Sequence, residues 1–443
     1  MQVTSTSDPA TSDRSAGGGS LLARLNNPIP VGLIGFAGWL IYVILRWQVW
    51  ANGHISKFIM SGQKRYSHPA QMFPKISHVT SIGYDGQFYY RFAFDPFNWA
   101  RTAYGITVDH NYRYTRIGYS VVAYILSLGG HGRLLPTVLV VINLICVGVM
   151  GYLGAKFARE GNRHALWGLL FVAYFGLTIS VGRDTAEPLA DACMLGGLLA
   201  YRHSRYILAA LLLAYAVFTN EPVLVLPVAL AIVRLYQFWK KQAKPGLPDL
   251  VWLLPGLVYV LLEGIETVVV KGKSSGTADA TQNLTLPFKA LVPGVYRDIR
   301  FSIDSWTQPN FFDGWDYNLI IFIALLVIVV AAFAVIRSSA APLHEKAAFV
   351  GFVLVEWVLA SGQFWDATFG DGRTFIEIYL MAVILLLATP ASAVTGAARS
   401  AHASLMDKAF ATDRTMSGKR LALVAAPTVV VLIFLLRRHI IHQ

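Results

Sequence analysis

Between residues 81 and 96 the chain reads Ser81-Ile82-Gly83-Tyr84-Asp85-Gly86-Gln87-Phe88-Tyr89-Tyr90-Arg91, followed by Asp95-Pro96. Asp-Gly is an ordinary turn signal, and Asp85 could serve only its own backbone. So many rings beside one carboxylate, with Gln87 and Arg91 close behind, better suit a site for a sugar or lipid headgroup at an interface. Three other strings carry charge between apolar runs. The first is Gly182-Arg183-Asp184-Thr185-Ala186-Glu187-Pro188, where Glu187 and Asp191 share a helix face and Pro188 suits a first helical turn. The second is Thr219-Asn220-Glu221-Pro222, readable as a capped turn. The third runs from Trp365-Asp366 to Gly370-Asp371-Gly372-Arg373, with Glu377 one turn on. Arg373 could hold a phosphate bidentately, or simply pair with Glu377 four residues later.

The elements that must position these groups lie in lipid. Of the 443 residues, 55% are hydrophobic and 14% charged, well below the roughly 25% charged of soluble domains. Apolar segments at 31–50, 135–157, 165–182, 187–203, 206–219, 222–239, 249–270, 317–337, 346–361, 373–390 and 421–436 predict about eleven spans in one all-α polytopic membrane domain, 31–443. Residues 1–30 are expected to form a disordered cytoplasmic tail, with the first span an uncleaved signal anchor. The stretch Ile117–Leu128 is apolar but too short to cross, and is expected to lie in the interface as a helix.

Basic residues set the orientation. Lys156, Arg159 and Arg163, then Arg202 and Arg205, then Lys240, Lys241 and Lys244 follow alternate spans, and Arg337 with Lys346, and the basic residues between 399 and 420, continue the alternation. The positive-inside rule then puts the amino terminus inside and two long loops, 51–134 and 271–316, outside. The net charge of +12 belongs to this pattern rather than to a nucleic-acid surface, so no nucleic-acid partner is expected. Asp191, Glu263, Glu266, Glu356 and Glu377 all fall toward the outer ends of their helices. Each alone is a capping or snorkelling residue. Together they suggest an acidic, wet cavity opening outward. The first outer loop is itself rich in Lys and Arg, which would attract a phosphorylated ligand or anionic membrane lipids. Cys146 and Cys193 both sit within predicted spans, which argues against a disulfide framework. Phosphate-loop, zinc-protease and serine-elbow signatures are absent.

With these residues in place, the chain resembles the GT-C superfamily of membrane glycosyltransferases, which use polyprenyl-phosphate-linked sugars. It is most similar to a bacterial mannosyltransferase-like branch whose first outer loop carries Tyr-Asp-Gly-Gln-Phe-Tyr, here Tyr84 to Tyr89. Tyr112-Arg113-Tyr114-Thr115-Arg116-Ile117, Arg183 to Ala190 and Thr219-Asn220-Glu221 add to the likeness, although Asn220 stands where the branch has an arginine. The resemblance implies inverting sugar transfer, mannose being the first guess, in a bacterial plasma membrane and on its outer face. The acceptor would be a glycan, lipid or protein. It implies Asp85 as the base, with Asp184 and Glu187 sharing the catalytic work. Arg373, Arg91 and Arg116 would meet the lipid phosphate, and Tyr84, Gln87, Glu221 and Asp371 would contact sugar or acceptor. No metal is required, though the acids leave a divalent ion possible. The competing expectation is a secondary transporter or lipid flippase, which would also place acids in the membrane but usually on repeated halves, of which none is visible here.

Overall fold

The computed structural model describes residues 21–63, 67–68, 75–80, 82–269, 286, 289, 292–293, 296, 317–357 and 371–390. Its helices in chain order are α1 (Pro28–Leu45), α2 (Gly86–Phe94), α3 (Gly118–Leu126), α4 (Leu135–Glu160), α5 (Gly176–Gly182), α6 (Glu187–Arg202), α7 (Tyr206–Thr219), α8 (Val225–Trp239), α9 (Leu250–Val269), α10 (Tyr317–Val335), α11 (Leu343–Trp357) and α12 (Ile376–Leu387). Asn27 caps α1 by accepting a hydrogen bond from the Ile29 amide at 3.0 Å, with Pro28 in the first turn. The chain is therefore ordered ahead of residue 31: Leu21–Arg24 is already a helical turn.

The helix α4 runs through the centre, with Leu139, Val147 and Met150 fully buried, and α1 packs along it. The helices α6, α7 and α9 form a consecutive layer, and α11 joins α8 and α12. Around this core the side chains remain apolar where they are exposed, as at Leu33 and Ile41 of α1, Ile207 and Leu211 of α7, and Val260 and Leu261 of α9. Apolar surface on both faces of a helix requires lipid on one of them. The protein is a helical membrane protein. Among the described residues, Pro28–Trp50, Leu135–Glu160, Glu221–Trp239 and Leu247–Val269 are long and apolar enough to cross a bilayer.

The expected span 165–182 is not a straight rod. It is a 3-10 helix, Ala165–Val172, followed by α5 at an angle of 63°, one bent crossing at most. The helices α7 and α12 are apolar but short. The segment 421–436 and most of the second long loop lie outside the described residues. The first long loop is a folded cap containing α2, α3, 3-10 turns at Ile55–Ile59 and Asn111–Tyr114, and a two-stranded antiparallel ribbon of β1 (Thr102–Ala103) and β2 (Ile106–Thr107). The helix expected from Ile117 is α3, and Ile125, Leu126 and Leu128 at its end are exposed.

Candidate functional site

Two close backbone approaches seat the cap on the bundle. A Cβ on Gly86 would lie 2.3 Å from the Arg183 carbonyl oxygen, and a Cβ on Gly118 would lie 2.3 Å from Thr219 Oγ1. Only glycine allows either contact. The first brings the start of α2, and so Asp85, against the turn before α6. The second brings the start of α3 against the end of α7, where Asn220 and Glu221 follow.

Asp85 precedes α2 but makes no capping hydrogen bond with its side chain. Its carboxylate instead lies between two arginines, 2.8 Å from Arg113 Nη2 and 2.8 Å from Arg373 Nη1. Arg113 also binds Asp109, four residues earlier, at 2.9 and 3.2 Å. Arg373, in the turn Asp371–Thr374, also lies 3.2 Å from Glu187 in the first turn of α6. Glu187 in turn accepts hydrogen bonds from Ser180, at 3.3 Å, and Thr185. The result is a chain of alternating charge, Asp109–Arg113–Asp85–Arg373–Glu187, contributed by the cap, the Arg373 turn and α6. Neither local explanation offered by the sequence holds: Asp85 does not serve its own backbone, and Arg373 forms its ion pairs with Asp85 and Glu187 rather than with Glu377.

Aromatic rings separate the guanidinium groups. Arg113 lies 4.3 Å from the Phe88 ring centre and 5.0 Å from that of Tyr112, and Arg116 is 4.5 Å from Tyr112. Tyr84 lies between Arg183, at 4.5 Å, and Arg373, at 5.1 Å. Such stacking holds each planar cation by its face and leaves its edge donors for anions. Even so, Nη1 of Arg113 and Nη1 of Arg373 are buried without a hydrogen-bond acceptor among the described residues. For Arg373 the 2.8 Å contact with Asp85 is a charge contact without hydrogen-bond alignment. Burial pushes the Asp85 carboxyl up, but Arg113 and Arg373 outweigh it and hold it well below the usual carboxylate range.

Arg116 and Glu221 form a bidentate pair beside this chain, with Nε 2.7 Å from Oε2 and Nη2 2.5 Å from Oε1. The remaining sequence candidates are placed otherwise. Gln87 is buried within the cap, where its Oε1 accepts from Ser67 at 2.7 Å and its Nε2 donates to the Ile82 carbonyl at 3.3 Å. Arg91 is fully buried, donating to the carbonyls of Asn98, at 3.2 Å, and Ala100, with its guanidinium 4.4 Å from the Phe92 ring centre. Helical geometry explains both. At about 100° per residue, Gln87 and Arg91 lie roughly 200° and 240° around α2 from Asp85, on its far side. Asp184 has a left-handed φ of 48°, and its buried carboxylate turns toward Arg46, with both oxygens lacking a hydrogen-bond partner among the described residues. Burial pushes that carboxyl well above the usual range, against the opposing charge of Arg46. The Asp371 side chain lies outside what is described. Arg113 and Asp109 complete the site and were not among the sequence candidates; their four-residue spacing was the available signal.

No group of three or more His, Cys, Asp or Glu among the described residues is placed to hold a metal ion. A cavity of about 600 Å³ opens elsewhere, at the carboxyl ends of α4 and α6, lined by Glu160, Arg163, Arg202 and Thr389 among others. Compared with known proteins, the chain matches no family model, no curated protein and no solved structure.

Proposed function

We propose that the protein is a membrane glycosyltransferase of GT-C type, with about eleven spans, that moves a sugar from a polyprenyl-phosphate donor to an acceptor hydroxyl. The observation that carries this reading is the meeting of Asp85 with Arg113 and Arg373, groups far apart in sequence, in a nest of Tyr84, Phe88 and Tyr112. A transfer of this kind needs a base for the acceptor proton and fixed cations for the departing phosphate. The acceptor oxygen attacks the anomeric carbon as its proton passes to Asp85. The bond from that carbon to the phosphate oxygen breaks, and its electron pair stays on the phosphate facing Arg373 and Arg113. Attack opposite the leaving group inverts the carbon. Glu187 holds Arg373 in place, while Tyr84 and the Arg116–Glu221 pair border the sugar and acceptor. Arginines and lysines gather at the carboxyl ends of α4, α6 and α8, which supports a cytoplasmic position for that end and an outer-face position for the Asp85 end.

The test is purified protein in detergent with a polyprenyl-phosphate-linked hexose and a set of hydroxyl acceptors. Transferred sugar that disappears with Asp85→Asn supports the reading, and full activity of that variant in folded protein would defeat it. A transporter reading draws on Asp191 of α6, which is fully buried with both oxygens unpartnered among the described residues. Transport without transferred product in sealed vesicles would favour it instead.

A further inference from the structure

We propose that Arg113 and Arg373 form a phosphate clamp which Asp85 fills as an internal anion until a phosphate-bearing ligand displaces it. The inference rests on the glycosyl-transfer reading, which it deepens by adding Arg113 as an anion-binding residue and by ordering the events at the site.

The geometry has the features of a clamp with an exchangeable occupant. Each cation has a second carboxylate of its own, Asp109 for Arg113 at 2.9 Å and Glu187 for Arg373 at 3.2 Å. If Asp85 swings away, both guanidinium groups stay where they are, held by those acids and by the rings of Phe88 and Tyr84. The donors also outnumber what Asp85 can satisfy. The buried Nη1 of Arg113 has no hydrogen-bond acceptor among the described residues, and Nη1 of Arg373 has only its 2.8 Å contact with Asp85. A phosphate offers more oxygens in a wider arc than a carboxylate, and planar guanidinium forks match it well. Asp85 itself is the part that can move. Its carboxylate turns on two single bonds, makes no capping hydrogen bond at the start of α2, and is 16% exposed, so the clamp is reachable from solvent.

Displacement has a chemical consequence. The two arginines are what hold the Asp85 carboxyl below its usual range. Once they bind phosphate, Asp85 loses that stabilisation and becomes a better proton acceptor. Arrival of the phosphate therefore both fills the clamp and arms the base, so acceptor deprotonation follows donor binding and an empty enzyme does not activate water.

The experiment is calorimetric titration of the full chain, purified in detergent, with inorganic phosphate and separately with a short-chain polyprenyl monophosphate. Asp85→Asn and Asp85→Ser remove the competing anion and are expected to tighten binding about tenfold, whereas Arg113→Gln weakens it about tenfold. Tightening with both probes assigns the clamp to phosphate as such; tightening with the lipid probe alone assigns it to the lipid-linked form. Unchanged or weaker binding in folded Asp85→Asn overturns the proposal. So does failure of both Asp85 variants to fold, because a contact the fold cannot spare cannot be vacated by a ligand. Tightened binding without any sugar transfer would keep the clamp and remove the glycosyl-transfer reading. Transfer with no tightening would remove the clamp alone.

Discussion

The two ends of α6 treat arginine differently. At the carboxyl end, Arg202 donates through Nε and Nη2 to Glu345, at 2.6 and 2.5 Å, and through Nη1 to Glu160 at 2.6 Å. Each of its three nitrogens has a carboxylate, and the guanidinium rests 4.7 Å from the centre of the Phe157 ring. At the amino end, Glu187 meets Arg373, which shares Asp85 with Arg113; the buried Nη1 of Arg113 has no acceptor among the described residues, and Nη1 of Arg373 has only its charge contact with Asp85. The first arrangement is a saturated clasp that ties α4, α6 and α11 together. Among the described residues, the second holds more donors than acceptors. Saturation is what a structural ion pair requires, since an unmet buried donor costs about 1–3 kcal/mol. Leaving donors unmet at a site open to solvent is what a ligand site requires.

The largest effect expected from this contrast is on chemistry. Asp85→Asn should lower sugar transfer by about 10²–10⁴-fold, the usual range for losing a positioned base, while leaving the protein folded by circular dichroism and gel filtration. The converse applies at Arg202. Arg202→Ala strands the fully buried Glu345 and should lower unfolding stability in detergent by about 3–5 kcal/mol. If Asp85→Asn proved the more destabilising of the two, the distinction between the ends would fail. Arg373→Lys should raise the apparent KM for a polyprenyl-phosphate donor about tenfold and Arg373→Ala about a hundredfold, because lysine keeps charge but not the fork. Equal effects would argue against bidentate binding.

Gly86→Ala sharpens the comparison by moving the cap without touching a charge. Its methyl would fall 2.3 Å from the Arg183 carbonyl oxygen, so the cap must shift, at a stability loss of about 1–3 kcal/mol together with lost transfer. The smallest expected effect is on pH dependence. The Asp85 carboxyl is held below its usual range in the folded state, so its pairing stabilises the protein above pH about 4. That contribution drains away as the pH falls below this value toward the folded pKa. Thermal midpoints of wild type and Asp85→Asn should run parallel from pH 7 to 5, then converge below pH 4.

Much of the site was legible from residue type. Asp85 stands out as an acid in a ring-rich turn, and Arg373 and Glu187 as charges at the ends of apolar runs, where lipid makes an unassigned charge expensive. Where the structure separates candidates that the sequence groups, neighbours in sequence are not neighbours in space. Gln87 and Arg91 follow Asp85 closely, but α2 turns them to its far side, where they stitch the cap together. Asp184 follows Arg183 in the same charged turn, but its backbone is left-handed and the charge that acts on it is Arg46. Arg113 and Asp109 went unselected because a basic residue in a basic loop carries no mark of its partner. The kink between Ala165–Val172 and α5 was hidden for another reason: hydropathy averages over a segment and is insensitive to its direction.

The sequence alone determined the solvent. Apolar runs of this length and so few charges leave lipid as the medium, and lipid in turn demands helices whose backbone hydrogen bonds are satisfied within each segment. Those are properties of composition and local pattern, and they can be read residue by residue. Which arginine would meet which acid was decided only by the tertiary structure. That choice depends on the cap settling onto the bundle through Gly86 and Gly118, and on the Arg373 turn arriving beside α6. Ion pairs are matters of a few ångströms between segments hundreds of residues apart, and no local pattern encodes such a distance.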